Sequence, residues 1–65
     1  MNDEEVVFKL IKMGCEEQDE GQVYEEKVLR MAQLLNINLE RYQKVKTRLL
    51  ETGKVAKTGD AFFLP

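Results

Sequence analysis

Apolar residues recur at helical spacing in three blocks of this chain, and then the pattern changes. Val6, Val7, Leu10 and Ile11 lie on one face of a helix. Phe8, Met13 and Cys15 widen that stripe. Asn2 or Asp3 supplies a cap, and Glu4 and Glu5 form an acidic first turn that the helix dipole favours. Gly14 is the expected stop, so the first helix is predicted over residues 3–14. It is apolar round much of its girth, which predicts a place at the centre of the fold.

A second block, Val28, Leu29, Ala32 and Leu35 with Met31 beside them, predicts a helix over residues 25–36. Asn36, a residue tolerant of left-handed backbone, ends it. Before it, CEEQDEGQ (residues 15–22) is acidic and has no period, which reads as a loop with a turn at Gly21. Val23 and Tyr24 form either a very short strand or the lead-in to the second helix. The third block predicts a helix over residues 39–52, capped by Asn38 and stopped by Gly53. The period then shortens. Two short runs flank Thr58-Gly59-Asp60, a hairpin over about residues 54–64 with Gly59 in the turn. The expected fold class is α+β: one small domain over residues 1–65, with three helices, a C-terminal β-hairpin and an optional short strand after the first helix.

The third helix has the most informative pattern. With Tyr42 at zero and about 100° per residue, Val45, Leu49 and Leu50 fall within about 80° of it and form the buried face. Arg41, Lys44 and Arg48 cluster between roughly −100° and −160°, a basic stripe along one edge. Gln43, Thr47, Glu40 and Glu51 fill the outer arc. Lys46 lies on the rim of the apolar face, where its stem packs and its ammonium reaches out. Lys54 and Lys57 of the hairpin are placed to continue the basic surface. Phosphate binding needs such a line of cations. Glu40 and Glu51 would repel phosphate.

Composition limits the chemistry. The chain has 65 residues, 43% of them hydrophobic, enough for one compact core. There is one cysteine and no histidine, which excludes an intrachain disulfide and a Cys/His zinc site. Without histidine there is no nucleophile–base arrangement, and no phosphate loop is present, so neither catalysis nor a cofactor or metal is expected. Glu16, Glu17, Asp19 and Glu20 do not match calcium-loop spacing. The acidic MNDEEVV start and the short apolar runs predict a soluble cytoplasmic protein, nucleoid-associated, or nuclear in a eukaryotic host. Net charge is −2, but residues 1–40 hold ten acids and four bases (−6) and residues 41–65 six bases and two acids (+4).

VLRMAQLLNI, a short turn, LERYQKVKTRLLETGKV and then KTGDAFFL together resemble the winged helix-turn-helix superfamily. Leu49 and Gly53 supply its closing Leu-x-x-x-Gly, and Val55 follows as the first wing residue. The resemblance covers nearly the whole chain and points to no subfamily. It implies a recognition helix in the major groove of duplex DNA and a wing along the backbone or minor groove. Arg41, Gln43, Lys44, Thr47 and Arg48 would then be helix contacts, and Lys54 and Lys57 wing contacts. The implied function is DNA binding in transcriptional regulation or as a replication- or phage-type accessory protein, with a homodimer reading two half-sites as one form. The alternative is a winged helix that docks on a larger protein assembly without DNA contact. A short wing with Asp60 near its tip and a pI near 5.1 favour that alternative.

The remaining residues carry simpler expectations. Phe62 and Phe63 point to opposite faces of a strand, one into the core and one partly covered or open to a partner. Tyr24 is expected with its ring packed and its hydroxyl wet, Cys15 as a small buried hydrophobe, and the three methionines as core filler.

Overall fold

The computed structural model describes residues 2–17 and 21–65. Three helices, α1 (Asp3–Glu17), α2 (Glu25–Leu34) and α3 (Leu39–Glu51), combine with three strands, β1 (Gln22–Tyr24), β2 (Ala56–Thr58) and β3 (Ala61–Phe63). The strands make one antiparallel sheet in the order β1-β3-β2. This is a small α+β fold compatible with a winged-helix-like arrangement, and the β2–β3 hairpin follows α3. Residues Val23 and Tyr24 do form a strand: they pair with Phe62 and Ala61. The third strand gives the hairpin a second neighbour, which a lone two-stranded ribbon lacks in water.

The helix ends follow local chemistry. Asn2 Oδ1 accepts from the Glu5 amide at 2.9 Å, and Asn38 Oδ1 from the Arg41 amide at 2.9 Å. Helices α2 and α3 close in the same way. Asn36 (φ 67°) and Gly53 (φ 76°) adopt left-handed backbone. The Ile37 amide then reaches the Ala32 carbonyl at 3.0 Å, and the Lys54 amide reaches that of Leu49 at 3.1 Å. Both are Schellman-type closures that satisfy orphan carbonyls and turn the chain sharply. Helix α2 starts differently. Its preceding residue, Tyr24, offers no side-chain cap, and the Glu25 amide donates instead to the Asp60 carbonyl of the hairpin turn at 2.7 Å.

Helix α1 is the central element, packed against α2, α3, β1 and β3. Val7, Leu10, Ile11 and Cys15 are buried on it and meet Val28, Ala32, Tyr42, Leu49 and Phe62 in one core. Phe62 is fully buried and Phe63 half-buried, as alternation along a strand requires. The Cys15 thiol is buried and lies 3.6 Å from the Phe62 carbonyl. Burial, with a smaller contribution from Glu16, pushes its pKa up, which keeps it an unreactive thiol.

Several expectations need correction. Gly14 does not stop α1, and residues 15–17, expected in the acidic loop, are helical. Gly14 is buried inside the helix, where an added Cβ would sit 2.5 Å from Val23 Cγ2. The glycine is there to let β1 approach the helix. Residues 18–20, the middle of the expected loop, and Met1 lie outside the described residues. Helix α2 ends at Leu34, two residues early, because the Asn36 turn takes up residues 35 and 36. Met13 and Met31 stand at the surface instead of filling the core, Leu35 is exposed, and Tyr24 is 71% exposed. No helix among the described residues is long and apolar enough to cross a membrane.

The Gly14–Val23 contact makes a specific prediction. Gly14→Ala gains helix propensity of about 1 kcal/mol but forces a methyl into Val23, an overpacking that costs about 1–3 kcal/mol. Thermal unfolding followed by circular dichroism is expected to show a lowered melting temperature, where an exposed helical glycine would show a raised one.

Candidate nucleic-acid interface

Tyr42, Leu49 and the half-buried Val45 and Leu50 pin α3 to the core, as the helical period requires. Opposite them, Glu40, Gln43, Lys44, Thr47 and Glu51 face outward and are exposed. The basic stripe stands on one flank of this outer face, and each of its members has a carboxylate. Arg41 donates through Nε and Nη2 to the two oxygens of Asp3 at 2.8 and 2.6 Å, a fork-to-fork pair, and through Nη1 to the Asn36 carbonyl at 3.1 Å. The Asp3 carboxylate raises the Arg41 pKa still further. Arg48 Nε lies 2.9 Å from Glu4 Oε1, and Lys54 Nζ lies 3.5 Å from Glu4 Oε2. Lys44 makes only a loose contact with Glu40, at 3.9 Å on its own helix.

The structure therefore brings Arg48 and Lys54 together on Glu4, with Arg41 two turns earlier on Asp3. Lys57 does not continue this surface. It lies 3.1 Å from Glu25, on the other flank of α3, where Lys46 meets the same carboxylate at 2.9 Å. The Tyr42 hydroxyl donates to Glu25 as well, at 3.1 Å. Burial raises the Glu25 pKa. The hydrogen bonds from Lys46 and Lys57, the charge of Lys46 and the Tyr42 hydroxyl outweigh that effect and hold the carboxyl below the usual glutamate range. Tyr42 is shifted the other way, its pKa raised by burial and by the Glu25 charge.

A cleft of about 640 Å³ opens on this second flank, between the start of α2, α3 and the hairpin turn. Tyr24, Glu25, Glu26, Leu29, Gln43, Lys46 and Asp60 line it. Glu25, Glu26 and Asp60 outnumber the ammonium groups of Lys46 and Lys57 on this side of α3, which makes it unfavourable for phosphate. The two flanks of the helix thus differ in kind. Arg41, Lys44, Arg48 and Lys54 occupy the basic one, while Lys57 and Gln43 belong to the acidic one. Thr47 lies on the outer face between them.

The carboxylates Asp3, Glu4 and Glu25 were absent from the sequence reading of this surface. Asp3 lies 38 residues from Arg41 and Glu4 lies 50 from Lys54. All three sit in a helical first turn, where the dipole alone accounts for an acid. No group of three or more His, Cys, Asp or Glu among the described residues is arranged to hold a metal ion. A scan of protein-family models, a search of curated proteins and a search of solved structures each return no match for this chain.

Glu25 makes stability depend on pH. Its folded pKa lies below the ordinary value of about 4.5. Its contribution is therefore complete above that value and is lost as pH falls through the lower, folded pKa. Glu25→Gln removes the negative charge shared by Lys46 and Lys57 and leaves one amide oxygen where two carboxylate oxygens served three donors, and is expected to cost about 1–3 kcal/mol at neutral pH. Urea denaturation should show that loss shrinking below pH 4.5, as the native carboxyl protonates as well.

Proposed function

We propose that this chain is a winged-helix module that binds duplex DNA through the basic flank of α3 and the start of its wing. The reading is supported above all by the convergence of Arg41, Arg48 and Lys54 on one edge of an exposed helix, with Lys44 beside them. These four cations bind phosphate oxygens and the outward Thr47 meets base edges, with Gln43 reaching a base only from the acidic side of the helix. Lys57 contributes only if it leaves Glu25. No catalysis is involved. The carboxylates of α1 compete for the same cations, and ion pairs whose cation stands largely in water contribute little. A polyanion can displace them.

The second reading is a winged helix that docks on a protein assembly. It is favoured by charge compensation: Arg41, Lys44, Lys46, Arg48, Lys54 and Lys57 each have a carboxylate within 4.0 Å. This leaves little of the uncompensated positive field that a nucleic-acid module usually presents.

Gel shifts with random duplex separate the two. With about four phosphates engaged, affinity is expected to fall roughly 100-fold between about 50 and 200 mM salt. A chain that fails to shift duplex at the lower salt is not a DNA-binding module.

The carboxylates give a finer test. Asp3→Asn with Glu4→Gln frees Arg41, Arg48 and Lys54 and is expected to tighten duplex binding several-fold, up to about tenfold. Glu16→Gln with Glu17→Gln makes the same change in net charge at the far end of α1 and should have much less effect.

A further inference from the structure

Residues 31–39 contain no charged side chain, in a protein where 34% of residues are charged. They span the last turn of α2, the connecting turn and the first residue of α3. Ala32 and Ile37 are buried there, but Leu34, Leu35 and Leu39 are 79, 54 and 50% exposed, and Met31 adjoins them. A monomer gains nothing by leaving these leucines in water, and large apolar side chains exposed together on one uncharged stretch mark a contact site.

Two features say what covers it. The first is shape. Leu34 protrudes, and next to it along the chain Gln33, Asn36, Ile37, Asn38 and Leu39 line a shallow, open depression of about 360 Å³. Knob and hole therefore lie on the same patch, as a two-fold contact between identical surfaces requires. The second is charge. The neutral segment is bounded by Arg30 at one end and Glu40 at the other. Among the described residues each is held only by an exposed pair on its own helix, Arg30 to Glu26 at 2.9 Å and Glu40 to Lys44 at 3.9 Å. A two-fold axis through the patch reverses its direction in the second copy. It then sets each Arg30 against the other copy's Glu40, and both charges are matched.

We infer that residues 31–39 form an interface between two copies of this chain, with Leu34 of each copy entering the recess of the other and Arg30 meeting Glu40 across the rim. This interface lies apart from α1, whose apolar residues are mostly taken up by the core. The inference does not depend on the DNA reading.

Sedimentation equilibrium of the full chain from micromolar to millimolar concentration tests it. The mass is expected to rise from 7.6 kDa toward twice that value. Leu34→Glu changes a side chain that is mostly in water, so the circular dichroism spectrum should not change, yet the chain should stay monomeric. Arg30→Glu and Glu40→Arg should each weaken association by about tenfold or more, because each sets like charges across both rims. Mixed in equal amounts, these two variants should pair with one another, since every rim contact is then again between opposite charges. A wild-type chain still monomeric at millimolar concentration overturns the inference. So does a dimer that Leu34→Glu leaves intact, or a mixture that associates no better than its components.

Discussion

The arrangement of α3, α2 and the hairpin depends on the Glu25 carboxylate. It accepts hydrogen bonds from the Tyr42 hydroxyl, Lys46 and Lys57, and so ties the start of α2 to the middle of α3 and to β2. The amide of the same residue donates to the Asp60 carbonyl, which fastens α2 to the hairpin turn. Among the described residues Tyr42 is the largest fully buried side chain, and the Glu25 carboxylate accepts the hydrogen bond from its hydroxyl. A buried hydroxyl without an acceptor costs about 1–3 kcal/mol, a large share of what a domain this small can hold in reserve. The carboxylate is also partly desolvated and stays ionised because three donors replace the water it gives up. Cores of this size leave little margin, and such a polar junction fixes how the elements are oriented where apolar packing alone would allow sliding.

What the sequence made legible follows the range of the interactions involved. Helix ends were readable because caps are local. Asn2, Asn38, Asn36 and Gly53 act on amides and carbonyls within a few residues of themselves. The hairpin was readable for the same reason, with Gly59 at φ 57° in its turn. Gly14 misled because glycine serves two purposes, ending helices and permitting close approach. Val23 decides between them, and its position against α1 is a tertiary fact. The period of α2 gave its face but not how much of that face the fold covers. Leu35 therefore appears in the stripe and yet stands in water. Arg41, Lys44 and Arg48 could be placed on the edge of α3 by angle alone, whereas Lys57 of the hairpin lies on the other flank. Their carboxylates could not be assigned, since nothing local distinguishes an acid that caps a dipole from one that also grips an arginine across the fold.

The division of charge along the chain has a different meaning in three dimensions. The acidic first part and the basic last part do not form two opposed surfaces. Asp3, Glu4 and Glu25 from the first part are laid against Arg41, Arg48, Lys54, Lys46 and Lys57 from the second. Apart from the partly buried Glu25 junction, these contacts contribute little to stability individually, because largely exposed pairs lose side-chain freedom nearly in proportion to what they gain. Their effect is on selectivity. A carboxylate tethered to α1 acts at an effective concentration of millimolar or more, so a single free phosphate competes poorly for any one cation.

A nucleic-acid backbone differs in presenting many phosphates at fixed spacing and in releasing counterions as each is neutralised. On the duplex reading, engagement would follow the strength of the contacts to be exchanged. Lys44, loosely held at 3.9 Å, is released first, and then Lys54 at 3.5 Å. Arg48 gives up a tighter single contact at 2.9 Å. Arg41 comes last, because two oxygens of Asp3 and the Asn36 carbonyl hold its guanidinium together. The forked pair that most firmly joins α1 to the start of α3 is thus also the one that a bound strand would have most difficulty opening.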